Sequence, residues 1–266
     1  MARNVLMRSL RDGLRSLVGF AAYIVLMVAV IVAIYPSIGH NPSLTKLVQS
    51  YPGTLKAFIG FGGVVDYGSA IGYLGIELFS LVLPALLIAA GITSGARAIA
   101  GEEESFTLDL LLANPLSRRR LVLEKAGALF ALLAILVLVV FATLAISVTA
   151  AGMDVTVGHM GAASVATGLL GALYGAIALA VGAAFGRRGV ALAVAGAAAG
   201  AAYVANALGS LVHALRWLRE ASPFYQYGVV DPLRHGLTAE HAVPLAVGAL
   251  LLVAVAVAAF ERRDIA

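Results

Sequence analysis

Six long apolar runs, separated by polar segments, divide this chain. They cover residues 17–38, 74–95, 126–150, 161–185, 190–212 and 242–260. Each run is near the roughly 20 residues that a helix needs to cross the hydrocarbon layer of a bilayer. In that layer the backbone can bond only to itself, so each run is predicted to be a helix. The pattern predicts an all-α polytopic membrane protein with a single transmembrane domain over residues 1–266.

The composition supports a membrane protein. Hydrophobic residues make up 61% of the 266 residues and charged residues only 12%, whereas ordinary soluble domains have roughly 25% charged residues. So few charges could not cover a soluble surface. The chain has no cysteine, which excludes disulfides, thiolate catalysis and cysteine metal sites. The net charge of +4 is explained by membrane topology, and no nucleic-acid partner is expected.

The basic residues lie mostly on one side of the predicted spans. If both termini are cytoplasmic, 13 of the 18 lysines and arginines fall inside and 5 fall outside. Cytoplasmic loops of membrane proteins show this excess of basic residues. The opposite orientation would invert it. Both termini are therefore predicted to be cytoplasmic.

Two outer segments are expected to form short interfacial helices, one before the second span and one before the sixth. Residues 39–73 hold two short stretches on either side of Tyr51-Pro52-Gly53. Residues 213–241 are rich in amphipathic aromatic side chains, which favour the level of the lipid headgroups. Pro223 and Pro232 divide this second segment into short pieces.

Few polar side chains lie within the apolar runs. Glu77 and Asn206 are candidate pathway residues, because an intramembrane carboxylate or amide often serves function. The alternatives are that Glu77 sits at the outer interface and that Asn206 bonds one helix to another. Glycines at fourfold spacing predict close packing of the fourth and fifth spans. These pairs are Gly171 with Gly175, Gly182 with Gly186, and Gly196 with Gly200.

The motifs of catalysis and energy supply do not occur. No lysine follows the glycine pattern of a phosphate-binding loop, so ATP cannot be bound by a Walker motif. All five histidines fall on the predicted outer side, and no metal site is predicted from them. The chain is therefore expected to be no enzyme, to hold no cofactor of its own, and to be driven by an external energy source.

The most polar stretch between two spans runs from Gly101 to Lys125. It opens on the acids Glu102, Glu103 and Glu104 and closes on a basic cluster that begins at Arg118. Between them, leucines at i, i+3 and i+4 spacing predict a short amphipathic helix with one apolar edge. These leucines are Leu108, Leu111 and Leu112. The alternative is a solvated connector whose arginines only fix the topology.

The order of motifs in this stretch resembles the cytoplasmic loop of ABC transporter permeases of the type-2 exporter class. The motifs are Gly-Glu-Glu-Glu from residue 101, Thr-Leu-Asp-Leu-Leu-Leu from 107, Asn-Pro-Leu-Ser-Arg from 114 and Glu-Lys at 124. The segment from Ser222 to Leu237 and the ending from Phe260 to Ile265 also look like the corresponding parts of these permeases. Phe106 departs from the family pattern, where many relatives have glycine.

The resemblance implies a permease subunit of an ATP-driven exporter in the cell's inner (plasma) membrane. It implies a second permease, expected to be identical, and two ABC ATPase subunits that bind ATP and magnesium. In the family this loop carries a coupling helix that docks into the ATPase. Here Leu108, Leu111 and Leu112 would be the docking edge, and Glu102 to Glu104 with Arg118 would be flanking charges.

Two other classes remain open from the sequence. One is an ATP-independent secondary transporter or channel, and the other is a membrane anchor or assembly factor that transports nothing. Internal inverted repeats would favour the former, and no convincing repeat occurs in the sequence. The mostly alanine, glycine, leucine and valine walls of the spans do not select a substrate.

Overall fold

A computed structural model describes residues 5–38, 46–47, 50–52, 67–105, 117–228 and 232–263, which are mostly helical with no strand among them. Six helices in this part are long and apolar enough to cross a membrane, as predicted. They are called the first to sixth span below. In order they are Val5–Ile38, Ala70–Glu104, Arg118–Ala150, Val157–Phe185, Arg188–Leu211 and Ala239–Arg262.

Several helices reach beyond the apolar runs, because a helix can continue through the headgroup layer with polar side chains. The second span ends at Glu104 and not near residue 95. The third begins at Arg118, where the Ser117 hydroxyl accepts a hydrogen bond from the Arg120 backbone N–H at 3.3 Å. Such a cap satisfies one of the free N–H groups at a helix start. These extensions bring the charged residues of the 101–125 stretch onto the ends of spans.

The fourth span is the centre of the bundle. Two thirds (67%) of the residues in its most apolar stretch are buried, against 22% in the corresponding stretches of the first and fifth spans. It packs closely on the second span, where a Cβ atom added at Gly91 or Gly95 would overlap the carbonyl oxygen of Gly171 or Gly175. Backbone contact of this kind is open only to glycine, and van der Waals packing of small residues holds membrane helices together.

The predicted close packing of the fourth and fifth spans is confirmed only in part: a Cβ atom at Gly182 would lie 3.8 Å from the Ala191 side chain of the fifth span, but the other glycines do not face that span. Gly171 and Gly175 face the second span. Gly186 ends the fourth helix with φ of +65°, a left-handed conformation that favours glycine. A Cβ atom at Gly196 or Gly200 would have no neighbour within 4 Å among the described residues. Fourfold spacing marks a face that permits close approach, but it does not say which helix approaches.

The second span is irregular near its start. Its first turns are Ala70–Leu74 and a π-helical turn at Gly75–Phe79, and the regular helix resumes at Val82–Ala96. Pro84 explains the break, since it has no N–H to bond to the carbonyl of residue 80 and its ring crowds that carbonyl. A second π-helical turn, Arg97–Gly101, directly precedes the three glutamates.

The segment before the sixth span forms short helices, as predicted. They are Arg216–Ala221, Pro223–Gly228 and Pro232–His235, after a 3-10 turn at His213–Leu215. The segment packs into the bundle: the Tyr227 hydroxyl donates to the Phe79 carbonyl at 2.7 Å, and the Phe224 ring lies against Tyr174 and Tyr203. Most of the other predicted interfacial region, within 39–73, lies outside the described residues.

Candidate functional site

Three consecutive glutamates end the second span, and each contacts a different part of the bundle. Glu102 pairs with a lysine of the third span, Glu103 with an arginine just after the sixth, and Glu104 with the start of the fifth. Successive residues of a helix point about 100° apart, so one turn can reach three neighbours. We call this set of contacts the charged network, and its side of the bundle the charged end.

The pair of Glu102 and Lys125 is the most buried part of the charged network. The Lys125 ammonium donates to the Glu102 carboxylate at 2.6 Å, and the two side chains are only 5% and 15% exposed. Removing one partner of such a pair costs about 3–5 kcal/mol, because the other charge is left without compensation in a poorly solvated place. This contact therefore fixes the end of the second span to the third.

Glu103 and Arg118 both bind the end of the sixth span. The Arg263 guanidinium donates to the Glu103 carboxylate and to the Ala183 carbonyl. The Arg118 guanidinium donates to the backbone carbonyls of Arg263 and Phe260 and lies 6.0 Å from the centre of the Phe260 ring. Arg263 thus joins the second span through its side chain and the third span through its backbone.

Glu104 binds the hairpin between the fourth and fifth spans. Its carboxylate accepts a hydrogen bond from the Arg188 backbone N–H at 2.8 Å. Arg188 is the first residue of the fifth span, where free N–H groups and the helix dipole favour a negative charge. The Glu104 carboxylate at the end of the second span thereby provides an acceptor for a free backbone N–H at the start of the fifth span.

The charged network makes the end of the second span a mechanical junction. The segment that follows it directly carries the leucines Leu108, Leu111 and Leu112, which lie outside the described residues. A displacement of residues 101–105 must break these contacts or move the ends of the third, fifth and sixth spans with it. The contacts of Glu102, Glu103, Glu104 and Arg118 described here are all within the chain.

The two candidate pathway residues lie apart from this network. Glu77, near the other end of the second span, accepts a hydrogen bond from the Tyr67 hydroxyl at 2.7 Å. Burial, this hydrogen bond and the nearby carboxylate raise the pKa of Tyr67 well above its usual value, so the phenol remains a donor. The Tyr67 and Tyr35 rings both pack on Tyr73. Glu77 is thus part of a tyrosine cluster, and Asn206 is partly buried in the fifth span.

The sequence reasoning did not single out three partners of the acids as site residues. These are Lys125, Arg188 and Arg263, which were counted only as topology signals or family motifs. Lys125 gave the clearest signal, since it lies at a helical face with Leu121, Val122 and Leu129, all of which are buried. A charged residue on a buried face needs a partner, and the nearby acids are the obvious source.

Metal chemistry finds no support in the part of the chain that the structure describes. No group of three or more histidine, cysteine, aspartate or glutamate side chains there could hold a metal ion. For example, the His241 Nδ1 atom and the Thr238 hydroxyl form a hydrogen bond of 2.9 Å. This contact lies at the start of the sixth span.

Six apolar helices with charged residues gathered at one end define a multi-pass membrane protein. The chain belongs to the ABC-2 family transporter proteins, whose family model matches residues 3–265, nearly the whole length. This confirms the resemblance to type-2 ABC permeases. Permeases of this family are the membrane components of ABC transporters and generally act with ABC ATPases. No curated protein shows significant similarity to the chain.

Proposed function

We propose that this chain is the permease subunit of an ATP-driven exporter in the plasma membrane, coupled to two separate ATPase subunits through residues 101–125. In this account both termini are cytoplasmic, and ATP and magnesium bind only in the ATPases. The observation that carries the proposal is the charged network, in which Glu102, Glu103 and Glu104 connect the root of the coupling segment to the third, sixth and fifth spans.

The coupling follows from linkage. A partner that contacts the 101–125 segment differently in its ATP-bound and ATP-free states shifts the equilibrium between two states of the membrane domain. The reverse also holds, so the state of the spans changes the affinity or turnover of the ATPase. Rigid contacts at the root of the segment are required, because a flexible connector would absorb the movement.

The docking contact itself is assigned to Leu108, Leu111 and Leu112. We expect Leu111→Glu to abolish co-purification of the ATPase, because a buried carboxylate in an apolar groove has no partner. The matched control is Leu110→Glu, since residue 110 lies on the opposite side of a helix from this edge. Both variants should insert into the membrane at the wild-type level.

The measurement is the amount of ATPase recovered with the tagged permease in mild detergent. Normal recovery with Leu110→Glu and none with Leu111→Glu supports the docking edge. Normal recovery with both variants shows that the leucines do not dock.

The second permease is expected to pack on the fifth span. This span is exposed along one side, where Gly196, Gly200 and Val204 have no covering residue in the described part of the chain. Small residues at fourfold spacing let two membrane helices approach closely. The identical surface on a second copy would be complementary through a twofold axis.

A bulky side chain on that face should separate the copies. We expect Gly200→Leu to convert a dimer to a monomer in light scattering of the purified protein. Gly19→Leu adds the same side chain on the first span, also in open space, and should leave the dimer intact. An unchanged dimer in Gly200→Leu would place the interface elsewhere.

A further inference from the structure

A cavity of about 380 Å³, lined by both polar and apolar side chains, lies at the charged end, between the first three spans and the start of the fifth. Charged side chains distinguish this cavity from the apolar surfaces between the other parts of the spans. Its polar lining comes from three cationic residues, one carboxylate and three serines. These are Arg97, Lys125, Arg188, Glu102, Ser16, Ser94 and Ser105.

The described lining has more positive than negative charge. Glu102 neutralises Lys125 through the 2.6 Å ion pair, and no carboxylate among the described residues is bound to the side chains of the other two cations. The Arg97 guanidinium donates to the Ser16 hydroxyl at 2.9 Å, which neutralises no charge. The Arg188 backbone N–H binds Glu104, but that bond does not involve its guanidinium.

Arg188 has a buried donor that points to a ligand. Its Nε atom is buried and has no hydrogen-bond partner among the residues that the structure describes. Buried polar atoms are rarely left unpaired, because each one pays the full cost of losing water. An unpaired guanidinium N–H beside a cavity needs an acceptor, and the planar guanidinium fits the oxygens of a phosphate especially well.

The place of the cavity narrows the class of ligand. It lies at the charged ends of the predicted membrane-spanning helices, and lipid headgroups are expected near the polar ends of such helices. Basic pockets between transmembrane helices on the cytoplasmic side are a recurring site for anionic lipid headgroups. The lining past Lys125 along the third span is apolar and consists of Ala128, Leu129 and Leu132. Such a surface suits the glycerol and acyl region of a lipid.

We propose that this cavity binds a phosphate group, with Arg97 and Arg188 as its two cationic clamps. The phosphate can come from an anionic phospholipid or from a soluble phosphate anion, and the apolar part of the lining favours the lipid. Because Glu102 and Lys125 line the same cavity, an occupied site also holds the ends of the first, second, third and fifth spans together. This inference does not depend on an ATPase partner.

The test uses the full chain purified in a zwitterionic detergent. Its thermal unfolding is measured with phosphatidylglycerol or phosphatidylcholine added, and separately with inorganic phosphate or chloride at equal ionic strength. A rise in unfolding temperature with phosphatidylglycerol alone assigns a lipid site, and a rise with inorganic phosphate as well assigns a site for phosphate from either source. No rise with phosphatidylglycerol or with phosphate beyond that of their controls overturns the proposal.

Two double variants make the test specific to the cavity. Arg97→Gln with Arg188→Gln should weaken binding of the phosphate probe about tenfold or more, since charge-assisted hydrogen bonds are lost. Arg119→Gln with Arg187→Gln removes two exposed cations from the same end of the bundle and should not. Equal weakening in both pairs would mean general charge attraction and would overturn the site. Arg97→Gln alone changes an exposed side chain and should leave folding intact. Weaker binding of the phosphate probe by this variant therefore reports lost binding and not lost folding.

Discussion

Gly95→Ala is expected to destabilise the protein strongly. The new Cβ would overlap the carbonyl oxygen of Gly175 and approach the Leu179 backbone nitrogen at 3.1 Å. Backbone atoms cannot rotate away as a side chain can, so the second and fourth spans must separate. Overpacking in a close-packed interior lowers the free energy of unfolding by about 1–3 kcal/mol. Because the second and fourth spans are so closely packed, we expect a loss near the upper end of this range. Thermal unfolding in detergent measures it.

Gly19→Ala is the matched control for this prediction. It adds the same methyl group to the first span, where the new atom has no neighbour within 4 Å among the described residues. Alanine favours a helix over glycine by about 0.5–1 kcal/mol, so this variant should unfold at or slightly above the wild-type temperature. If Gly95→Ala unfolds at the wild-type temperature too, the contact between the second and fourth spans is not as close as described.

Glu103→Gln is expected to uncouple the permease from its ATPase without releasing it. The docking edge at Leu108, Leu111 and Leu112 is unchanged, so the ATPase should still co-purify. The amide carries no charge to hold the Arg263 guanidinium, so the end of the second span is no longer tied to the sixth. Coupling between sites typically amounts to about 5- to 150-fold. We expect the dependence of ATP turnover on the permease to fall by at least about fivefold.

Reversing the charges tests whether the ion pair itself matters. Glu103→Arg combined with Arg263→Glu should restore coupling that either change alone removes. The swap leaves the bond from Arg118 intact, because Arg118 binds the backbone carbonyl at residue 263.

Glu220→Gln is the control for Glu103→Gln. Glu220 pairs at 2.9 Å with Arg216, and the two side chains are 47% and 65% exposed, so the pair contributes little. Loss of coupling in Glu220→Gln equal to that in Glu103→Gln would contradict a special role for the charged network.

The spans were predictable because membrane burial leaves a local signal. A run of apolar residues must become a helix wherever it lies in the bundle, so the six helices follow from the sequence alone. The family could also be recognised, because the acids, leucines and arginines of the 101–125 stretch keep their order along the chain. The short helices before the sixth span follow from Pro223 and Pro232, which interrupt a longer helix.

The partners of these residues could not be predicted, because they are far apart in sequence. Glu103 meets Arg263, which lies 160 residues later, and no periodicity connects them. The same reason explains the error at Gly171 and Gly175, whose spacing permits close packing but whose neighbour is the second span and not the fifth. Tertiary arrangement decides both, and only the assembled bundle shows it.

The most direct measurement of the central claim is ATP turnover by the complex. The tagged wild-type chain is expressed together with its chromosomal neighbours, purified in mild detergent and assayed for ATP hydrolysis. The account predicts a co-eluting ATPase whose turnover changes when this permease is present. A stable chain that elutes alone and leaves ATPase turnover unaltered would contradict it and would favour an ATP-independent transporter or channel.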